Sequence, residues 1–423
     1  MADILFYSSL IIIWVMLLYH MFLAQGGYQH FKKFERVIPA WERKMRNLEL
    51  PFVNVFIPAH NEEVVIKQTL TAMSRLVYPK DKLQIVLICD NCSDRTKEIG
   101  NQFSDQYPFI RTIETKGPFK GKGKSSALNY ALQNTEGEVV VVYDADNTPE
   151  RKAVWHLVMG LINDQKAAAI VGKFRVINAN KTWLTKCINI ETICFQWMVQ
   201  AGRFNWFRIA TIPGTNFAIR RDIIEQLDGW DHSALAEDTE LTIRVYNLGY
   251  YIRYFPAAIT WEQEPETLNV WWKQRTRWAR GNQYVVLKFL GKMFSLRHKK
   301  ILFDIFYFFF TYFLFFLGVI LSNLIFIINL FYDLNLQIGN VAIVLWVMAF
   351  LLYLTEIMIT LSIEKDQLTV RNILYVIAMY FTYSQMWIVL VIYALILEVK
   401  RKIKKEENVW YKTERYTVER GGK

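Results

Sequence analysis

Four long apolar runs constrain this chain more than any other feature of its sequence. They lie at roughly residues 4–24, 301–331, 341–363 and 373–397 of the 423-residue chain. A bilayer span needs about 20 mainly apolar residues, and every one of these runs is that long. The sequence therefore predicts a multi-pass membrane protein that has the lipid bilayer as a partner.

The excess of basic residues does not by itself identify a partner. A formal net charge of +11 is compatible with nucleic acid, anionic lipid or an anionic substrate. Because the apolar runs already place the chain in a membrane, we expect no nucleic-acid partner.

The N-terminal run predicts a retained transmembrane helix over residues 1–25. It is too long and too aromatic for the core of a signal peptide, and no A-x-A-like cleavage site follows it. Lys32, Lys33 and Arg36 come soon after it. Since basic residues are enriched on the cytoplasmic side, we expect the N-terminus outside and the chain from about residue 26 inside the cell.

The C-terminal membrane region, residues 301–397, presents a parity problem. The basic tail at 398–423 predicts a cytoplasmic C-terminus at the plasma membrane, yet three full crossings that start inside would end outside. We suspect the first run, because about 31 residues at 1.5 Å each extend about 46 Å, whereas a hydrocarbon core is about 30 Å thick. It would combine an interfacial or re-entrant piece with a span, after an interface helix at 283–300.

The polar middle of the chain, residues 26–282, alternates predicted strands and helices. Apolar runs at 52–57, 84–89 and 138–146 are typical of buried strands, and stretches with apolar residues at helical spacing separate them. This order predicts an α/β, Rossmann-like domain with a mostly parallel sheet. Such sheets bind ligands at the carboxyl ends of their strands, where Asp90, Asp144 and Asp146 fall.

Asp144 and Asp146 flank one residue after a buried strand, which suits a divalent cation that also grips two phosphate oxygens. Alone, a DxD sequence more often marks a strand-end turn or a helix cap. The accompanying motifs favour a metal site over a turn or a cap, because seven short motifs occur in one order. They are IPAHNEE (57–63), ICDNCSDRT (88–96), KGKSSALN (122–129), DAD (144–146), PGTNFAIRR (213–221), AEDTELTIR (236–244) and QRTRW (274–278).

With these motifs the chain resembles the family-two inverting glycosyltransferases, particularly the processive branch of cellulose, chitin, hyaluronan and poly-N-acetylglucosamine synthases. QRTRW fits the QxxRW pattern of that branch, and the Glu-Asp pair of AEDTE fits its TED motif. The resemblance implies a cytoplasmic GT-A domain joined to a membrane channel, a UDP-sugar donor, a growing polysaccharide acceptor and a Mg²⁺ or Mn²⁺ cofactor. The sequence leaves open whether accessory subunits assist export.

The resemblance also implies roles for single positions. Asp238, beside Glu237, would be the catalytic base, and Asp144 with Asp146 would hold the metal. The residues expected at the nucleoside and its diphosphate are Pro58, His60, Asn61, Glu62, Asp90, Lys124, Asp144, Gln274 and Arg277. Those expected at the acceptor are Trp278, Gly214, Thr215 and Asn216.

The tail contains a short sequence, WYKTER (410–415), that is similar to a signature found after the last span in several of these synthases. There it closes over the nucleotide, so the resemblance implies nucleotide contacts for Thr413 and Arg415. A basic tail held near anionic lipid explains the same residues.

Sugar transfer asks for these residue types independently of the family. An acceptor hydroxyl loses its proton as it attacks the anomeric carbon, and a positioned carboxylate can take that proton. The leaving diphosphate develops negative charge, which a divalent cation and the Arg277 fork can stabilise. The indole of Trp278 can stack on a sugar, whereas Trp271 and Trp272 fit either that role or an anchor at the membrane interface.

Departures from the family pattern narrow the choice of polymer that the enzyme would make. Asn91 replaces the second acid of the usual pair, and AEDTE is closer to the cellulose and poly-N-acetylglucosamine pattern than to that of hyaluronan synthases. We favour UDP-glucose and a cellulose-like or mixed-linkage (1,3;1,4)-β-glucan, with poly-N-acetylglucosamine from UDP-N-acetylglucosamine as the alternative. Other hypotheses are a non-processive transferase acting on a lipid carrier and a transporter or binding protein with a vestigial site.

Overall fold

Residues 2–45, 48–232, 234, 236–291, 300–332 and 339–404 are described by the computed structural model of the chain. The strands form an eight-stranded sheet in the order β3-β2-β1-β4-β7-β6-β8-β5. Their bounds are β1 Val53–Ala59, β2 Leu83–Cys89, β3 Ile110–Glu114, β4 Val139–Val142, β5 Thr148–Pro149, β6 Ala167–Val176, β7 Phe217–Arg220 and β8 Tyr251–Glu262.

Fifteen numbered helices accompany these strands in the described residues, and π-helical segments at Phe195–Gly202 and Phe310–Phe315 join two pairs of them. The first ten are α1 Ala2–Met45, α2 Ile66–Ser74, α3 Thr96–Gln106, α4 Lys124–Gln133, α5 Ala153–Ile162, α6 Trp183–Cys194, α7 Arg203–Phe207, α8 Arg221–Gln226, α9 Glu237–Asn247 and α10 Leu268–Leu290. The others are α11 Lys300–Phe309, α12 Phe316–Phe331, α13 Gly339–Ile363, α14 Val370–Phe381 and α15 Tyr383–Lys404.

One half of the sheet, β3-β2-β1-β4, is parallel, as the strand and helix order predicts, whereas β7 pairs antiparallel with β4 and with β6. β1 pairs in parallel with β2 and with β4, and β2 pairs in parallel with β3. β4 consists of four buried valines, whose branched side chains favour strands. Because Ala59 aligns with Cys89 and Phe56 with Val142, the carboxyl ends of β1, β2 and β4 lie at one edge of the sheet.

The sheet is buried on both faces. Phe56, Val86 and Val140 contribute to a core on one face, while Val55, Ile85 and Val141 contribute to a core on the other. Strands covered on both faces read as continuous apolar runs, which explains why β1, β2 and β4 are visible in the sequence.

Helix α1 is much longer than the apolar run that predicts it. It has 44 residues, which extend about 66 Å, so the predicted domain boundary at residue 25 falls inside it. Its second half lies on the sheet domain, where Gly27 lies against the backbone of Trp197 and the Trp41 ring stacks on Phe255 at a centroid distance of 5.9 Å.

Four helical stretches in the described residues are long and apolar enough to cross a membrane. They are Asp3–Met45, Ile305–Asn329, Val341–Ile363 and Val370–Arg401, which correspond to the four apolar runs. The predicted boundary at residue 282 falls inside α10, and residues 292–299 of the predicted interface helix lie outside the described residues.

Candidate active site

Asp90 follows β2 and fastens the glycine-rich loop that leads into α4. Its Oδ1 accepts hydrogen bonds from the Thr115 hydroxyl at 2.7 Å and the Gly121 amide at 2.6 Å. Its Oδ2 accepts from the Gly123 amide at 3.0 Å. Both glycines have positive φ, a conformation that glycine adopts without a steric penalty. Asp90 thus shapes the loop that presents Lys124, and its contact with uracil or ribose stays a prediction.

The predicted nucleoside pocket lies where the turns after β1 and β2 interlock. The Asn61 Oδ1 accepts from the Ser93 amide at 2.7 Å, and the Glu62 amide donates to the Thr96 hydroxyl at 2.7 Å. The His60 Nδ1 donates to the Asp90 carbonyl oxygen at 2.7 Å. Pro58 lies near the end of β1, so these residues are grouped at the carboxyl ends of β1 and β2, and their contact with a nucleoside stays a prediction.

Lys124, the first residue of α4, is the centre of a charged cluster. Its Nζ donates to Asp144 Oδ1 at 2.7 Å and to the Gly214 carbonyl at 2.9 Å, and it lies 3.6 Å from Glu237 Oε1. Desolvation opposes the charge of the ammonium group, but the carboxylates of Asp144 and Glu237 outweigh it and raise the pKa of Lys124. The cluster therefore holds a permanent cation, which a diphosphate can pair with.

Asp238 lies beside this cluster in the first turn of α9. Its Oδ1 accepts from the Thr239 amide at 2.6 Å, and its Oδ2 faces Gly214, where an added Cβ would come within 3.1 Å. Desolvation, together with the charge of Glu237, raises the pKa of Asp238 to about 6. A carboxyl group poised near neutral pH suits a proton acceptor.

The predicted acceptor residues that precede β7 differ in their surroundings. Gly214 borders the carboxylates of the cluster, whereas the Thr215 hydroxyl accepts from the Asp144 amide at 3.0 Å and bonds to Asn147. Asn216 is fully buried, and its amide donates to the carbonyls of Lys173 and Ala258 at 2.9 Å each. Thr215 and Asn216 therefore hold the backbone around the site through hydrogen bonds. Their contact with a sugar stays a prediction.

The DAD turn has the donor set of a divalent-cation site. Asp144 and Asp146 flank Ala145, whose carbonyl accepts from the Thr69 hydroxyl at 2.7 Å. The described residues contain no group of three His, Cys, Asp or Glu that could hold a metal. A cation here would take two carboxylates from the chain and complete its shell with diphosphate and water, which is the pattern of Mg²⁺ sites. It would supply charge neutralisation for the leaving diphosphate.

QRTRW lies on α10, where Arg275 is buried among acids. Arg275 Nη1 donates to Gln274 Oε1 at 2.9 Å, and its Nη2 donates to Glu191 Oε2 at 3.0 Å. Its guanidinium lies 4.0 Å from the centroid of the Trp278 ring. Trp278 is 41% exposed, so part of the residue is accessible. The predicted roles of Gln274, Arg277 and Trp278 at the substrates stay predictions.

Helix α10 also adjoins the start of α9. The Thr239 hydroxyl donates to Asn282 Oδ1 at 3.3 Å, and Asn282 Nδ2 donates to the Tyr312 hydroxyl at 2.8 Å. This places α10 between the candidate base and the π-helical segment that precedes α12.

Sequence reasoning missed the network around Arg275. The Tyr383 hydroxyl donates to Glu191 Oε2 at 2.8 Å, and Trp271 Nε1 donates to the Tyr383 hydroxyl at 3.1 Å. No local pattern joins these residues, since they come from α6, α10 and α15. Trp271 is fully buried, so it neither anchors the surface at a membrane interface nor offers a ring face to a sugar. Thr413 and Arg415 lie outside the described residues.

Within this GT-A fold, the Lys124 ammonium group and the Asp238 carboxylate lie together near the carboxyl ends of the parallel strands. The chain is a glycosyltransferase of the hexosyltransferase class. Residues 51–281 match the model described as glycosyltransferase-like family 2, and the chain belongs to that family. The predicted fold and enzyme class are confirmed.

Relatives of known name point the same way. The probable glycosyltransferase YdaM of Bacillus subtilis is 66% identical over 422 residues and matches along the full length of both chains. The poly-beta-1,6-N-acetyl-D-glucosamine synthase of Staphylococcus aureus is 28% identical over 240 residues, and the beta-monoglucosyldiacylglycerol synthase of Trichormus variabilis is 30% identical over 243 residues. The latter matches cover 57% of this chain and 57% and 51% of those relatives, or about half of their length.

A solved structure shares the fold. The mannosyltransferase PcManGT from Pyrobaculum calidifontis, in complex with GDP-Man and Mn²⁺, aligns with a TM-score of 0.55 over 85% of this chain and 97% of its own. The two sequences are 19% identical, so this likeness supports the fold alone.

Proposed function

We propose that the chain is a processive, inverting β-glycosyltransferase that polymerises a UDP-sugar at the cytoplasmic face of the plasma membrane and exports the polymer. UDP-glucose and a cellulose-like or mixed-linkage β-glucan are the leading substrate and product. Poly-N-acetylglucosamine from UDP-N-acetylglucosamine is the alternative, and the match to the Staphylococcus aureus synthase supports it.

The position of α10 carries this proposal. It brings the QRTRW segment next to α9, which begins with Glu237 and Asp238. Its other neighbours include α11 and α15, which belong to the apolar C-terminal region. A sugar chain held at Trp278 would therefore have the base on one side and apolar helices on the other.

Each residue of the site has one role in this proposal. Asp238 accepts the proton of the acceptor hydroxyl as that oxygen attacks the anomeric carbon, which inverts its configuration. Lys124 and Arg277 stabilise the departing UDP, and Asp144 with Asp146 would hold a divalent cation, which would supply charge neutralisation for the diphosphate. These roles give a general base, a cationic cradle and an acceptor platform.

The test is the length of the product early in the reaction. Purified protein in lipid nanodiscs, supplied with Mn²⁺ and radiolabelled UDP-glucose or UDP-N-acetylglucosamine, should make high-mass glycan while most acceptors are still unextended. Linkage-specific glycanases then identify the polymer. Short chains that all lengthen together would contradict processivity.

Trp278→Ala provides the matched comparison. It should shorten the product more than it slows the release of UDP, because the sugar loses its stacking surface. Trp183 is also exposed, at 38%, so Trp183→Ala serves as a control for the loss of a surface indole. Equal product lengths for wild type and Trp278→Ala would remove the acceptor role of Trp278.

A non-processive transferase acting on a lipid carrier is the second candidate. The 30% identity to a beta-monoglucosyldiacylglycerol synthase over 243 residues favours it. Incubation with extracted membrane lipid would then give a one-sugar glycolipid as the sole product, which the polymerase proposal does not allow.

A further inference from the structure

The number of membrane crossings after the sheet domain is unresolved by hydropathy, because all three later runs are long and apolar enough to cross. A basic C-terminus on the same side as the sheet domain requires an even number of crossings after that domain. One of the three stretches Ile305–Asn329, Val341–Ile363 and Val370–Arg401 therefore does not cross.

Helices α12 and α13 both pack against α1, and α12 contacts its first half. Gly318 of α12 faces Ser9 and Ile12 of α1 so closely that an added Cβ would lie 3.0 Å from the Ile12 side chain. Helix α13 contacts α1 as well, and just beyond its last residue Glu364 bonds to Lys173 Nζ of β6 at 2.5 Å. These contacts describe one helix leaving the sheet domain and one returning to it.

The last apolar run is different, because it packs against α6 where it begins and against α10 further along. Gln367, just before α14, accepts from Asn189 of α6 at 3.3 Å. The helix breaks at Thr382, where φ is −126° and ψ is −81°. Beyond the break, Val391 accepts from Gln283 at 3.2 Å, and Glu398 lies 3.5 Å from Arg280.

Helix α10, along which α15 lies, cannot enter the hydrocarbon core. It begins a few residues after β8 ends, and it carries the cations Lys273, Arg275, Arg277, Arg280 and Lys288. Charged groups within a bilayer core are costly and rare. The contacts of α15 with this cationic helix run from Tyr383 to Arg401. Helix α15 therefore lies at the same depth relative to the membrane as α10.

The outward face of α14 and α15 is nevertheless apolar. An exposed row runs along the two helices, and its members Leu374, Phe381, Val389, Ile396 and Ile403 are 60, 55, 59, 46 and 76% exposed. The opposite face of α15 is buried, with Leu390, Ala394 and Glu398 at 0, 0 and 1%. Arg371 and Lys400 are also exposed on these helices.

We propose that α14 and α15 are two amphipathic helices, joined by a kink at Thr382, that lie along the cytoplasmic leaflet and do not cross the membrane. Their apolar row enters the boundary between headgroups and acyl chains, and Arg371 and Lys400 meet anionic headgroups. The chain then crosses three times, through α1, the α11–α12 helix and α13. The N-terminus is outside, and the loop after α13 and the C-terminus are inside.

The sidedness of two loops separates this arrangement from one in which the run at 301–331 fails to cross. Single cysteines are placed at Tyr332, after α12, and at Lys365, after α13, in a chain whose four native cysteines are changed to serine. Both positions are exposed. In intact cells an impermeant maleimide should label Tyr332→Cys. Lys365→Cys should be labelled only after the cells are permeabilised. Labelling of Lys365→Cys from outside would overturn the proposal.

The depth of the outward face gives a second measurement that does not depend on loop accessibility. Spin labels at Leu374, Val389, Ile396 and Ile403 in anionic liposomes should all report the same shallow depth. A depth profile that reaches the bilayer centre in the middle of the row would contradict a surface location. Neither measurement requires enzyme activity, so failure of this topology is separable from failure of the proposed polymerase.

Discussion

At the scale of single residues, the site depends on how three acids share one cation. Lys124 contacts Asp144 and Glu237 directly, and Asp238 adjoins them across Gly214. Desolvation and the charge of Glu237 outweigh the effect of Lys124 and raise the pKa of Asp238 to about 6. This pKa sets the pH at which Asp238 becomes a base.

The pH dependence of the reaction follows from this arrangement. The value of kcat/KM reports groups of the free enzyme, so it should rise with pH through about 6 as Asp238 loses its proton. Glu237→Gln removes a neighbouring negative charge that raises the pKa of Asp238, and should shift the rise to lower pH. The value of kcat/KM for the donor is measured for wild type and Glu237→Gln in buffers at about pH 4.5 to 8, on either side of the pKa of about 6. An unshifted profile in the variant would contradict the electrostatic account.

Short motifs after a strand and at two helix starts made much of this cluster predictable. Asp144, Lys124 and Asp238 each lie in a local pattern whose residue types fit the chemistry of a nucleotide sugar. Arg275 was not predictable, because which arginine of QRTRW is buried depends on Glu191 and Trp278, and on the tertiary packing of α6 against α10.

At the scale of elements, the loop before β7 is constrained by its backbone. Gly214 has a φ of +84°, and an added Cβ would lie 3.1 Å from Asp238 Oδ2 and 3.4 Å from Lys124 Nζ. The positive φ therefore favours glycine, and an added Cβ would have to displace the Asp238 carboxylate by a few tenths of an ångström.

Gly214→Ala should abolish most of the activity, because it displaces the candidate base as well as straining the loop. Gly117→Ala is the matched control, since Gly117 also has positive φ, at +57°, but has open space around it. UDP release by the two variants is compared with wild type. Equal activity of the two would show that crowding at Asp238 has no effect on the reaction.

Helix α10 depends on its buried arginine. Arg275 is 1% exposed and pairs with Glu191, and it lies 3.6 Å from Glu264. Arg275→Gln leaves these acids without their cation and should cost about 3–5 kcal/mol of stability, as expected for breaking a buried ion pair. Thermal unfolding in detergent measures the loss. Arg95→Gln, in a surface pair with Glu98, should leave the melting temperature nearly unchanged, and a similar value for Arg275→Gln would contradict the account.

The sheet was predictable at this scale, and the helix lengths were not. β1, β2 and β4 are buried on both faces and appear as continuous apolar runs. Helix α1 continues to Met45 because Phe34 and Trp41 pack against Phe255, a contact with a strand more than 200 residues away in sequence. Hydropathy detects a span but not such docking.

At the scale of the whole molecule, ion pairs of Glu364, one residue after α13, join the sheet domain to the apolar helices. Glu364 bonds to Lys173 at 2.5 Å, to Arg175 at 2.7 Å and to the Trp197 indole at 2.8 Å. Lys173 and Glu364 are 191 residues apart, so no sequence pattern could have joined them. The relative position of the two regions is therefore a tertiary property.

Glu364→Gln should weaken this junction, because it leaves the buried Lys173 without its carboxylate. The expected cost is about 3–5 kcal/mol, measured as a lower melting temperature of the full chain in detergent. Lys365→Gln changes the exposed neighbour and should have little effect. If both variants melt like wild type, the ion pairs do not hold the two regions together.

The central claim is that the charged cluster around Lys124 and the Asp238 carboxylate form a site that transfers a sugar. The release of nucleotide tests this claim most directly. The full chain is purified in nanodiscs and screened with UDP-glucose, UDP-N-acetylglucosamine and other nucleotide sugars, with Mn²⁺ or Mg²⁺ and with a chelator. We predict metal-dependent release with at least one UDP-sugar, and a loss of about 10²–10⁴-fold in Asp238→Asn, the typical contribution of a general base. Undiminished release by Asp238→Asn, or no release with any donor, would contradict the account.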